Sequence, residues 1–192
     1  MMHIMPVLKV FFSIGFVLTV LSPKAQLPEP DKSPLDISYA PANYPILKFQ
    51  GRQQAPLPLA RVIYSRPQKN GRDLFGKEIK YGEIWRLGAN ETTEIEFFRA
   101  VSFGGKSIKK GRYSLYCIPS ANSWVIIFNK DLYTWGAFSY QMQSDVARFT
   151  VPVTRQSGVS VEYFTMYFNE ANQLVILWGD VRAIVPFKFS DK

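Results

Sequence analysis

Val161-Glu162-Tyr163-Phe164-Thr165-Met166-Tyr167-Phe168 sets Phe164, Met166 and Phe168 in strict alternation with Val161, Tyr163, Thr165 and Tyr167. A period of two places successive side chains on opposite faces of a strand, so this stretch reads as β-structure with one apolar and one mixed face. The pattern spreads outward from there. Ala183, Val185, Phe187 and Phe189 alternate with Arg182 and Lys188, and Ile95 and Phe97 alternate with Glu94 and Glu96. Trp124 to Phe128 and Leu174 to Trp178 are apolar on both faces and are expected at central positions. Asn70-Gly71, Gly104-Gly105, Ala121-Asn122, Asn169 to Asn172 and Gly179-Asp180 supply turns between them. About ten strands follow, with only residues 139–146 suited to a helical turn. The predicted class is all-β: an antiparallel β-sandwich of jelly-roll or Greek-key type, in a single domain.

Upstream of the strands the chain changes character twice. Lys9 precedes the uncharged apolar run Val10 to Leu21, and Ser22-Pro23-Lys24-Ala25 closes it. That run is too short to span a bilayer and reads as an export signal over residues 1–25, which leaves no transmembrane segment after cleavage. Residues 26–58 are rich in proline and read as an extended, semi-rigid arm or tether, which Tyr39, Tyr44 and Phe49 are placed to pin across the domain of residues 59–192. The expected location is outside the cytoplasm: periplasmic, cell-surface or secreted.

Removing the signal removes His3, the only histidine, and leaves Cys117 as the only cysteine. Ser-His-Asp and Cys-His nucleophilic machinery needs an imidazole, and zinc and copper sites draw mainly on His and Cys, so neither is expected within one chain. An intrachain disulfide is impossible, and Cys117, in the strand-like run Tyr113 to Ile118, reads as a buried inert thiol. No Asp-rich calcium loop is present, and no cofactor is expected. The net charge of +8 becomes +6 without Lys9 and Lys24, and it is dispersed. No basic stripe with interleaved aromatics suggests nucleic acid; anionic glycans, anionic lipid headgroups or plain solubility suit the charge.

Against this background Tyr81-Gly82-Glu83-Ile84-Trp85-Arg86-Leu87-Gly88-Ala89-Asn90-Glu91 is anomalous, because it puts ionisable groups where strand-like sequence should be apolar. Buried polar groups are either partnered or face a ligand. Alternation over 84–87 sends Trp85 and Leu87 to the core and Arg86 to the opposite face, where Gly88 and Ala89 leave room for close approach. Glu83 or Glu91 is placed to take Arg86 in a bidentate pair, with Asn90 fixing a turn; the other reading is a polar cleft. Ser65-Arg66-Pro67 and Gly71-Arg72-Asp73 add two arginines near an Asn-Gly turn. Tyr133-Thr134-Trp135-Gly136-Ala137-Phe138-Ser139-Tyr140 is a second cluster, with aromatic faces suited either to stacking on sugar rings or to plugging the end of a sandwich.

These blocks resemble the exported proteins of the domain of unknown function 2911 family. The resemblance runs from about Ser65 to Phe187. It rests on Ser65-Arg66-Pro67, Gly71-Arg72 with Phe75-Gly76, Tyr81-Gly82 leading into Trp85-Arg86-x-Gly88-Ala89-Asn90-Glu91, Gly111-x-Tyr113-Ser114-Leu115, Trp124 with Phe128-Asn129, and Trp135-Gly136-Ala137-Phe138-x-Tyr140. It implies an exported β-sandwich and no assigned activity, and it groups the Arg86 and Trp135 blocks as joint signature elements expected to lie together.

The functional expectation is a non-enzymatic binding module for a small polar or glycan-like ligand, with Arg86, Asn90, Glu91, Trp135, Arg66 and Tyr140 as ligand-binding residues. Arg86 orients the ligand, Asn90 hydrogen-bonds it and Trp135 supplies an apolar platform. Two other classes compete: a glycosidase-like hydrolase using Glu83 or Glu91 as general acid or base, and a structural or interaction protein of the cell envelope whose arm docks on a partner.

Overall fold

The computed structural model describes residues 28–52 and 55–190; the export signal predicted over 1–25 lies outside the described residues. The strands are β1 (Leu35–Ala40), β2 (Ala60–Ser65), β3 (Glu94–Phe97), β4 (Val101–Phe103), β5 (Lys106–Ile108), β6 (Gly111–Pro119), β7 (Ser123–Asn129), β8 (Asp145–Arg155), β9 (Val161–Phe168), β10 (Leu174–Gly179), β11 (Val181–Val185) and β12 (Lys188–Phe189). One short helix, α1 (Tyr44–Phe49), follows β1, and a 3-10 turn at Met142–Ser144 falls inside the 139–146 segment marked by the sequence.

The all-β, antiparallel class holds, but the layers of the expected sandwich are not separate sheets. Nine strands form one ladder in the order β1-β2-β3-β6-β7-β8-β11-β10-β9, nearly closed into a barrel, while β12-β4-β5 make a small second sheet. After β8 the chain crosses to the far edge as β9, then winds back through β10 to set β11 beside β8. Alternation states which side chains face inward and says nothing of which strand pairs with which. The centrality of β7 and β10 follows the pattern: each is flanked by two strands, and Ile126, Ile127, Val175 and Ile176 are fully buried.

The two edges meet along a polar seam. The Phe168 amide donates to Ser38 Oγ at 3.1 Å, the Phe164 amide to the Pro67 carbonyl at 2.9 Å and the Lys69 amide to the Glu162 carbonyl at 2.7 Å. The first strand of the seam comes from within the predicted arm, and its alternation is inverted. Leu35 and Ile37 face solvent, while Asp36 turns towards Tyr64 and Arg66 and Ser38 towards β9. Tyr44 is buried and its hydroxyl donates to the Ala55 carbonyl at 2.7 Å, so the arm is also held just beyond β1.

Inside, the barrel is filled by aromatic rings in two groups. Trp85 stacks on Trp178 at 6.1 Å and meets Trp124 and Phe164 edge-on at one end; Phe97, Phe128, Phe149 and Phe187 fill the other. Such tilted and edge-to-face contacts add to the large area each ring buries.

Tyr64 gives the seam a pH dependence. Its ring is 2% exposed and its hydroxyl donates to Asp36 Oδ2 at 3.2 Å. Burial, with the Asp36 carboxylate adding to it, pushes its pKa from 10.0 up to about 12. The folded state therefore holds this proton after the unfolded chain has released it. The stabilisation is fully present below pH 10 and is lost as pH rises from there towards 12, by about 2–3 kcal/mol for the residue. Urea titrations at pH 8 and near pH 11 should show this drop, and Tyr64→Phe should flatten it; an unaltered slope in the variant would assign the loss to other groups.

Candidate functional site

Residues 66–93 connect β2 to β3 by a long excursion across the Trp85 end of the barrel. It is anchored at Trp85, whose amide donates to the Cys117 carbonyl at 2.7 Å and whose carbonyl accepts from the Cys117 amide at 2.8 Å, one isolated bridge in place of the short strand expected over 84–87. Alternation still holds locally: Trp85 and Leu87 are core residues, 7% and 0% exposed. Leu87 has φ 56, a costly conformation for a bulky residue, sustained by its burial and by the Thr93 hydroxyl donating to its carbonyl. That turn brings Gly88, at φ 149, against Ser65, where a Cβ would lie 2.6 Å from Ser65 Oγ. Only glycine permits this approach, and Ser65 Oγ then both donates to the Ala89 carbonyl and accepts from its amide, each at 2.6 Å.

A pocket of about 230 Å³ opens over this turn, lined chiefly by Arg72, Glu78, Lys80, Glu83, Arg86 and Trp178. Its charges are matched unequally. Arg72 Nη1 pairs with Glu78 Oε1 at 2.8 Å while its guanidinium lies 6.0 Å from the centre of the Trp178 ring, and Lys80 Nζ is 3.7 Å from Glu83 Oε1. Arg86 pairs with nothing among the described residues: no carboxylate is within ion-pair reach, and its Nε is buried without a hydrogen-bond partner. Burial lowers its pKa from the usual 12.5, as expected of a cation held away from water without a counter-charge.

The predicted brace between Arg86 and Glu83 or Glu91 is thus not formed, because Glu83 turns to Lys80 and Glu91 is exposed on a neighbouring segment. Asn90 does sit at a turn, with φ 56, and its Nδ2 donates to Asp31 Oδ2 at 2.8 Å. The Arg86 and Trp135 blocks do meet. Glu91 and Trp135 form an isolated bridge, with the Gly136 amide donating to the Asn90 carbonyl at 2.9 Å and the Thr92 amide to the Thr134 carbonyl at 3.0 Å. Below them Tyr116, Thr134 and Thr92 link their hydroxyls, and Thr92 Oγ1 donates to the Gly136 carbonyl at 2.6 Å. Yet Asn90, Glu91 and Trp135 are not among the residues that line the Arg86 pocket. Trp135 stands 59% exposed on the outer surface.

The other two expected site residues belong elsewhere. Arg66 closes the seam: Nη1 donates to Asp36 Oδ2 at 3.1 Å and Nη2 to Thr165 Oγ1 at 3.2 Å. Tyr140 donates to Asp145 Oδ2 at 2.7 Å and accepts from Arg148. Cys117 is fully buried, and burial holds its thiol well above the ordinary range. Among the described residues no group of three or more His, Cys, Asp or Glu is gathered to hold a metal ion. No helix among them is long and apolar enough to cross a membrane. Sequence reasoning passed over Glu78, Lys80 and Trp178 as pocket residues; the sole local hint was the clustering of alternating charges between Arg72 and Glu83.

Fold and site together define an all-β, barrel-like domain whose one end carries a small polar pocket with an unmatched arginine. The chain belongs to the family described as protein of unknown function (DUF2911), which it matches over residues 50–187. No curated protein and no solved structure matches it. The matched span contains every residue of the pocket but not β1 or α1.

Proposed function

We propose that this protein binds a small polar ligand through an anionic group, carboxylate or phosphate, held by Arg86 in the pocket of residues 67–89 and Trp178. The observation that carries this reading is the unpaired guanidinium. Two of the pocket's three cations are matched by carboxylates, and the third, half-buried and with Nε unsatisfied, is a planar donor set awaiting an acceptor. The apolar run Val10–Leu21 supports export, which would present the pocket outside the cytoplasm.

A calorimetric or thermal-shift screen of small carboxylates, phosphates and neutral sugars tests the reading. Ligands that bind should be anionic, and Arg86→Gln should weaken them roughly 10- to 100-fold, the range for a charge-assisted hydrogen bond, without lowering stability. Arg86→Lys should recover only part of the loss, since an ammonium cannot reproduce the fork. Neutral sugars binding with no dependence on Arg86 would overturn it.

A further inference from the structure

The opposite end of the barrel carries a second, chemically different pocket. Register fixes its position: Ala60 of β2, Phe97 of β3 and Gly111 of β6 lie side by side, and the pocket is built from the residues just outside them. Its volume is about 490 Å³, and its lining is Pro56, Leu57, Pro58, Phe98, Arg99, Ala100, Lys109 and Lys110. The composition separates into two parts. Leu57, the prolines and Phe98 form an apolar floor, with Leu57 54% exposed, while Arg99, Lys109 and Lys110 form a rim. No acidic residue lines it, and none of the three cations is in an ion pair among the described residues. Lys48, whose Nζ donates to the Pro56 carbonyl at 3.0 Å, adds a fourth cation beside the floor.

We infer that this end of the barrel is a docking surface for an anionic phospholipid layer, with phosphates at the basic rim and the outer acyl region against the floor. Charge complementarity argues for phosphate, and the apolar floor argues for a lipid over a soluble anion. Clustered lysines and arginines beside exposed apolar side chains are the elements that hold a protein at an anionic membrane surface. The Arg86 pocket differs in that its charges are largely matched. With the rim on the membrane, the register sets that pocket at the far end, turned towards solution.

Sedimentation of the full chain with vesicles tests this, using phosphatidylglycerol mixed with phosphatidylcholine against phosphatidylcholine alone. The leader carries Lys9 and Lys24 and is common to every variant, so comparison of the variants on the same vesicles isolates the rim. The anionic vesicles should bind the protein far better, and the preference should fade as salt rises from about 0.1 M to about 0.5 M. The triple variant Arg99→Gln, Lys109→Gln, Lys110→Gln should lose most of it, on the order of a hundredfold at three surface charges. Lys32→Gln, Lys77→Gln, Lys130→Gln, which removes the same net charge from exposed positions elsewhere, should lose much less. Leu57→Ser should weaken binding without abolishing it. Equal binding to both vesicle types, equal losses in the two triple variants, displacement by millimolar inorganic phosphate, or preference for a soluble acidic polysaccharide over vesicles would each overturn the inference.

Discussion

Trp85→Ala should lower the stability of the domain by about 3–5 kcal/mol, the range for deleting a large aromatic from a packed core. Trp85 is one point where the excursion of residues 66–93 is fastened to the barrel, through backbone hydrogen bonds to Cys117 and through ring contacts with Trp124, Phe164 and Trp178, and its ring also meets Phe75 of the excursion itself. Alanine would leave a cavity that four rings cannot fill by moving, since each is held by its own strand or loop. Trp85→Phe separates packing from hydrogen bonding. It keeps most of the apolar volume but loses the indole N–H donated to the Gly88 carbonyl at 3.2 Å, so a smaller cost, about 1–2 kcal/mol, is expected. Denaturant titrations read both: the midpoint should fall with little change in slope. A loss below about 1 kcal/mol for the alanine variant would mean that the excursion is held elsewhere, and that the Gly88 turn does not depend on its indole neighbour.

The same residue shows what the sequence makes legible. Alternation alone assigns Trp85 and Leu87 to the core and Arg86 to the other side, because period two is a local property of the backbone and survives even where the strand shrinks to one bridge. Whether Arg86 is paired is not local. Glu83 and Glu91 both lie near Arg86 along the chain, and only the three-dimensional course of the loop gives Glu83 to Lys80 and leaves Glu91 beside Trp135. β1 is hidden for a related reason: its inward residues, Asp36 and Ser38, are polar because they face a seam and not the core, so the usual sign of the alternation is reversed. The near closure of the nine-stranded sheet depends on β9 reaching the Pro67 segment across nearly a hundred residues of chain. Nothing in the alternation of β9 encodes that partner.

Asp145→Ala is expected to cost about 3 kcal/mol, roughly 1 kcal/mol for each donor it leaves without an acceptor. The carboxylate, 10% exposed, stands at the start of β8 and receives Arg148 Nε at 2.6 Å, the Tyr140 hydroxyl at 2.7 Å and Asn129 Nδ2 at 2.8 Å. Asn129 is itself buried and ties in both ends of the loop: its Oδ1 accepts from the Asp131 amide at 2.8 Å and its Nδ2 also donates to the Gln141 carbonyl at 3.0 Å. One carboxylate therefore closes the base of residues 130–144, the segment that holds Tyr133, Trp135 and Phe138 out in solvent. Arg148 is one-third exposed, so water recovers part of what it loses, which keeps the expected cost below that of a fully buried pair. Asp145→Asn preserves one acceptor and the shape, and should cost less than half as much. Amide hydrogen exchange distinguishes a local from a global effect. If Asp145 is the anchor, the Lys130 amide, which donates to the Ser144 carbonyl at 2.9 Å across the loop base, should lose protection before the Gly136 amide, which is held independently by Asn90. Loss of protection at both amides together would show that the aromatic loop and the Asn90–Thr92 strip open as one unit, and that the barrel end and its outer loop are a single cooperative structure.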